Sequence, residues 1–215
     1  MKKELIINKS KTQLVILAGG RSKRFGGGYK TLHKFNNLSV LERILNNYKN
    51  LDIEVALNVN SNEIEFSRTG LSLIKDEINN FQGPLAGIYS SIKWALQNNK
   101  NIEWILTTPS DTPFLFAKII NKFFKTKFKE NSKIILAKNS GKIHPVIGLW
   151  HVSLIKKLEE FLAKEDRKIM NWVKLQNYEV LNFVNKNHFF NINTKSDLEE
   201  ATKIEKSLKK PKFAG

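Results

Sequence analysis

No cysteine occurs among the 215 residues, so disulfides, thiolate metal sites and cysteine nucleophiles are excluded. Histidine is scarce as well: there are four, none in a Ser-His-Asp arrangement, which leaves little for imidazole-based nucleophilic catalysis. No apolar run approaches the roughly 20 residues that a membrane span requires. The segment Met1–Lys11 mixes Lys2, Lys3, Glu4, Lys9 and Lys11 around a brief Leu5–Ile7 patch, with no signal-peptide core or cleavage site. A cytoplasmic protein with no membrane partner is expected.

Acidic residues are the minority charge, 20 against 36 Lys and Arg, for a net charge of +16. A field of that size attracts polyanions in general. The lysines are nevertheless scattered, densest at Lys122–Lys129 and Lys206–Lys212, which suits solvated faces and a basic tail better than a nucleic-acid groove. An anionic small substrate fits the same charge. With 41% hydrophobic and 10% aromatic residues the composition is that of an ordinary globular protein. There is no internal repeat and no Gly/Ser- or Pro-rich linker. One domain is therefore expected over residues 1–205, followed by a flexible basic tail over 206–215.

Leu14–Ala18 is a continuous apolar run ending in Gly19 and Gly20, the pattern of a buried strand entering a loop. Ser39 and Glu42 have capping-box spacing at the head of a helix carrying Leu41, Ile44, Leu45 and Tyr48. Strands are predicted at 53–59, 71–74, 104–108, 133–137, 146–150 and 178–183. Helices are predicted at 85–96, 116–128, 154–162 and 196–204. Strands alternating with helices, and strands apolar on both faces, predict an α/β fold: a doubly wound, mostly parallel, Rossmann-like sheet. Ligands of such sheets bind beyond the carboxyl ends of the strands, so the loops after Ala18, Val59 and Thr108 should converge. Pro109 and Pro113 stop the strand at 104–108 and place Asp111 in that crevice.

Residues 17–30 set five glycines and four cations immediately after the first buried strand. Glycine lets the backbone approach phosphate closely, while Arg and Lys neutralise its charge. A Walker loop is excluded because Tyr29 separates Gly28 from Lys30 and Thr31, and the dinucleotide fingerprint fails because Thr31 stands where glycine is required.

The pattern Leu17-Ala18-Gly19-Gly20, Arg24, Gly26-Gly27 and Lys30 resembles the loop of sugar-nucleotide and molybdopterin nucleotidyltransferases. Four further stretches occur in the order found in the molybdenum cofactor guanylyltransferase family: Gly83-Pro84-Leu85-Ala86-Gly87, Pro109-Ser110-Asp111-Thr112-Pro113, His144-Pro145 and Asn191-Ile192-Asn193-Thr194. The resemblance spans roughly residues 13–205. It implies nucleotide contacts at Leu17, Ala18, Gly19, Gly20, Lys30, Asn58, Asp76, Gly83, Pro84, Leu85 and Asp111. Arg24, Lys30 and Asp111 become the catalytic candidates, with Asp111 as the ligand of Mg2+. On the pterin side it points to His144, Pro145, Arg167, Lys168, Asn191 and Asn193.

The implied substrates are GTP and molybdenum-loaded molybdopterin, with molybdoenzyme maturation proteins as implied partners. The implied reaction transfers GMP to the terminal phosphate of the pterin and releases pyrophosphate. Two other readings stay open at this level. One is a related nucleotidyltransferase using CTP with molybdopterin, or a sugar phosphate acceptor. The other is a non-enzymatic nucleotide- or RNA-binding protein. One residue departs from the family pattern, since Tyr29 stands where an aspartate usually precedes the motif lysine. Tyrosine cannot supply a carboxylate to orient Lys30.

Overall fold

A computed structural model describes residues 3–19, 29–62, 64–77, 83–164 and 168–209. The chain begins with a short strand, β1 (Glu4–Ile6), and then enters β2 (Thr12–Leu17). A tight hairpin of β3 (Lys34–Phe35) and β4 (Leu38–Ser39) leads into helix α1 (Val40–Tyr48). Next come β5 (Val55–Asn58), α2 (Ile64–Ser67), β6 (Ser72–Ile74), α3 (Pro84–Asn98), β7 (Trp104–Pro109) and α4 (Ala117–Lys125). The remainder is β8 (Lys127–Lys129), β9 (Ile134–Asn139), β10 (Lys142–His151), α5 (Ile155–Leu162), α6 (Ile169–Val173), β11 (Tyr178–Phe183) and α7 (Lys195–Lys209).

A seven-stranded sheet runs in the order β11-β9-β10-β7-β2-β5-β6. Its ladders are parallel except at β10, which is antiparallel to both β7 and β9. The expected mostly parallel, doubly wound sheet is present, and the carboxyl ends of its parallel strands share one edge. Along β2, Leu14 and Ile16 face one core while Val15 faces the other, as the two-residue period of a strand dictates. The first core packs α1, α4 and α7 through Leu41, Ile44, Ile120, Phe123, Ala201 and Ile204. The second packs α3, α5 and α6 through Ile88, Ile92, Leu158, Leu162 and Trp172. Trp172 stacks on Trp150 of β10 with ring centroids 6.1 Å apart, a pairing that adds to area burial.

The capping box of α1 forms as predicted. Ser39 Oγ accepts from the Glu42 amide at 3.1 Å, and Glu42 Oε2 accepts from the Ser39 amide at 2.6 Å. The helix predicted over 116–128 is shorter. It stops at Lys125, because Lys127–Lys129 pairs antiparallel with Glu4–Ile6 and buries Phe128 in the first core. The last helix is longer than predicted. It continues through Lys206 to Lys209, so the boundary expected at 205 falls inside α7, and residues 210–215 lie outside the described chain. Among the described residues no helix is long and apolar enough to cross a membrane.

Candidate active site

The site is built at the carboxyl edge of the sheet from segments leaving β2, β5, β6 and β7. Leu17 ends β2, and its carbonyl accepts from the Ser110 amide beyond β7 at 3.1 Å. Ala18 donates to the Asn58 carbonyl at 2.8 Å, binding the next turn to the end of β5. A side chain at Gly19 would stand 3.8 Å from Asn60 Nδ2 and 4.0 Å from Asn58 Oδ1, so Gly19 borders the asparagine pair directly. Gly20 and Arg24 lie outside the described residues.

Two side-chain clusters occupy this edge. In the first, Lys30 Nζ forms an ion pair with Asp111 Oδ2 and also donates to Asn193 Oδ1 at 3.0 Å. Both charged side chains are largely buried, 20% and 14% exposed, which strengthens the pair over one in open solvent. Thr112 donates through Oγ1 to Asn191 Oδ1 at 2.8 Å, and the Ile192 amide donates to the Asp111 carbonyl at 2.9 Å. The segment 191–193 is thereby fastened across the loop that carries Asp111.

In the second cluster Asn58, 2% exposed, donates from Nδ2 to Asp76 Oδ1 at 2.8 Å and to the Ile74 carbonyl at 3.2 Å. Asn60 grips Asp76 from two sides: its Nδ2 donates to Asp76 Oδ2 at 2.7 Å, and its Oδ1 accepts from the Asp76 amide at 2.7 Å. Asn60 was not singled out from the sequence. Its two-residue spacing from Asn58 at a strand end was the available signal.

Tyr29 accounts for the departure from the family pattern. Its ring is buried at 6% exposure, edge-on to Phe66 of α2 at 5.1 Å, and its hydroxyl donates to the Asn60 carbonyl at 3.4 Å. The residue anchors the chain immediately before Lys30. The carboxylate partner of Lys30 is supplied by Asp111 instead.

Gly83 precedes α3 at φ 150, in the left-handed half of the map that glycine favours, with Pro84 at the first helical position. One turn on, Gly87 is pressed against Asn58, since a Cβ there would lie 2.5 Å from Asn58 Oδ1. The first turn of α3, with Leu85 buried beneath it, therefore flanks the second cluster.

The expected pterin-side residues are not all brought together. Asn191 and Asn193 join the Lys30–Asp111 cluster. His144 begins an interruption of the β9–β10 ladder, in which Pro145, Val146 and Ile147 bulge out between the His144–Ala137 and Gly148–Leu136 pairs. The His144 ring lies 4.7 Å from that of Phe189. Burial, with the charge of Lys142 adding to it, pushes the His144 imidazole below its ordinary value. Lys168 stands at the N-cap position of α6, whose Trp172 is anchored on Trp150 toward the opposite end of the sheet. Arg167 lies outside the described residues.

No group of three or more His, Asp or Glu side chains able to hold a metal occurs among the described residues. A divalent ion at Asp111 would need ligand oxygens and water to complete its shell, the usual arrangement for Mg2+ on phosphate substrates.

Comparison with known proteins gives the family of the chain. Residues 14–180 match the MobA-like NTP transferase domain. A molybdenum cofactor guanylyltransferase of Nitrobacter hamburgensis is 34% identical over 196 residues, covering 90% of this chain and 94% of its relative. One from Haemophilus influenzae is 33% identical over 187 residues, covering 86% and 95%. Among solved structures, molybdopterin-guanine dinucleotide biosynthesis protein A of Archaeoglobus fulgidus shares the fold at a TM-score of 0.69, with 21% identity and coverage of 91% and 99%. The extent of these matches makes this chain a member of the MobA-like NTP transferase family, and hence a nucleotidyltransferase.

Proposed function

We propose that the protein transfers GMP from GTP to the terminal phosphate of molybdenum-loaded molybdopterin. The observation that carries the assignment of the reaction centre is the buried pairing of Lys30 with Asp111 at the carboxyl edge of the sheet. The names of the relatives supply the substrates. A phosphate oxygen of the pterin attacks the α-phosphorus of GTP; the new P–O bond forms as the bond to the β-phosphate oxygen breaks, and pyrophosphate leaves with the electron pair. The attacking phosphate is already ionised at neutral pH, so no general base is required, and positioning and charge neutralisation carry the catalysis.

Lys30 meets the triphosphate oxygens as they accumulate charge. The family pattern adds Arg24 to the same reading, as the arginine that would neutralise the leaving phosphates. Asp111 and Asn193 already hold one cation, the Lys30 ammonium, between hard oxygen atoms, and such a donor set suits Mg2+. Mg2+ bound there would neutralise phosphate charge. On the base side, Asp76 offers only acceptors when ionised. Guanine presents two donors, N1–H and N2–H, to such a group, whereas adenine presents an acceptor at N1. The adjacent His144 and Phe189 rings and the bulge at Pro145 are assigned to the pterin side. A soluble protein working in the cytoplasm fits this chemistry.

The test is pyrophosphate release from GTP, CTP and ATP, each with molybdenum-loaded molybdopterin and Mg2+, beside a pterin-free control. Release confined to GTP and dependent on pterin is expected. A preference for CTP would retain the mechanism and change the product; no release with any nucleotide, together with salt-sensitive RNA binding, would overturn the enzymatic reading.

A further inference from the structure

We propose that Asp197, on the first turn of α7, is a positioning residue for Lys30, acting through Asn193; the inference rests on the reading of Lys30 as the phosphate-binding lysine. Lys30 reaches its place on a four-carbon stem that can swing freely, and two acceptors hold its ammonium, Asp111 and Asn193 Oδ1. Asp111 follows a buried strand directly. Asn193 belongs to neither helix nor strand, so the location of its side chain is set by whatever fixes its backbone.

Asp197 does that. Its Oδ2 accepts from the Asn193 amide at 2.8 Å and from the Thr194 amide at 2.9 Å. The Asp197 amide in turn donates to Thr194 Oγ1 at 3.3 Å, closing a reciprocal cap. Burial works to raise the Asp197 carboxyl, but the amides of Asn193 and Thr194, the Thr194 hydroxyl and the charge of Lys30 outweigh it and hold it below its ordinary value.

The anchor point is tied to the rest of the fold. Farther along α7, Glu205 pairs with Arg43 of α1 at 2.6 Å and accepts from Asn36 Nδ2 in the β3–β4 turn at 2.8 Å. The same hairpin is bound to the Lys30 turn, because the Val40 amide donates to the His33 carbonyl at 3.1 Å and the His33 amide to the Lys30 carbonyl at 3.2 Å. Helix α7 is thus referenced to the elements that carry Lys30, and Asp197 transmits that reference to Asn193.

An acidic residue in a first helical turn also stabilises its helix, whatever else it does. The two roles separate in a double-mutant cycle of Asp197→Ala and Asn193→Ala, with GTP turnover, calorimetric GTP affinity and Tm measured on all four proteins. Asp197→Ala is expected to lower kcat/KM for GTP by about tenfold with Asn193 present and by less than about twofold in the Asn193→Ala background, the difference being a coupling of ordinary size for residues in one network. Tm should fall equally in both backgrounds. Asp197→Asn, which keeps an oxygen able to accept both amides, should restore most of the activity. Equal losses in the two backgrounds, or an Asp197→Ala enzyme as active as the parent, would overturn the proposal. A parent protein that transfers no GMP would refute the guanylyl-transfer reading alone, and the same coupling would then be sought in GTP affinity, where its absence counts against Asp197.

Discussion

Lys30 and Asp111, 81 residues apart in the chain, form a largely buried ion pair where β2 and β7 end side by side. The Lys30 ammonium holds the carboxylate assigned in the proposed reaction to a divalent ion, so on that reading ammonium and ion would compete for it until phosphate oxygens drew the lysine away. Mn2+ binding followed by electron paramagnetic resonance should be weak for the free protein and strengthened at least several-fold by GTP. Lys30→Met should raise the affinity of the nucleotide-free protein for Mn2+, and Asp111→Ala should abolish binding in either background. Unchanged Mn2+ affinity in Lys30→Met would dismiss the competition.

Gly87 tests the second cluster. An alanine Cβ would stand 2.5 Å from Asn58 Oδ1, and that amide would have to turn away from Asp76. Alanine is itself favoured over glycine inside a helix by about 1 kcal/mol. Gly87→Ala should therefore leave Tm within a few degrees of the parent while weakening GTP binding by about tenfold, roughly 1.4 kcal/mol. Undiminished affinity by calorimetry would mean that the Asn58–Asp76 contact is not used for nucleotide.

Base choice is tested at Asp76. The Asp76→Asn variant retains size but exchanges one acceptor for a donor. A site built to hydrogen-bond a substrate loses discrimination when its partner group is changed. The ratio of kcat/KM for GTP over ATP should fall by more than about tenfold, and an unaltered ratio would remove Asp76 from base recognition.

Acid sensitivity is expected from three histidines. Burial is the leading cause that lowers His144, His151 and His188 below the ordinary value of 6.5; Lys142, Lys133 and Lys118 respectively add to it, while Glu103 opposes it at His151 and the Phe114 carbonyl at His188. The unfolded chain takes up these protons first as pH falls. Stability is therefore full above 6.5 and declines below it, until the lower folded-state values are passed. Urea midpoints measured from about pH 8 down to about pH 5 should show that decline. His188 is buried, with Nδ1 donating to the Phe114 carbonyl at 3.1 Å. His188→Asn keeps a donor at that place, and it should flatten part of the slope; an identical slope would exclude His188 as a contributor.

Local sequence determined a good deal of this protein. The apolar run at Leu14–Leu17 and the Ser39–Glu42 box each depend on neighbours a few residues away, and each forms where expected; the strand expected to stop at Thr108 runs one residue farther, with Pro109 opposite Leu17 at its end. The loop glycines and Lys30 pointed to phosphate for the same reason, since glycine freedom and lysine charge are properties of the residues themselves. Tertiary structure decided what depends on distant partners. Lys127–Lys129 became a strand because Glu4–Ile6 lay beside it, and the four- and five-residue helices α2 and α6 are too short to impose a period on the sequence. Tyr29 could be recognised as an absent carboxylate, but not as a core residue resting on Phe66. The partnerships of Lys30 with Asp111 and Asn193, and of Asp76 with Asn60, join separate loops at one sheet edge. Hydrogen bonds and ion pairs act over a few ångströms of space, and only the folded sheet brings those loops within that distance.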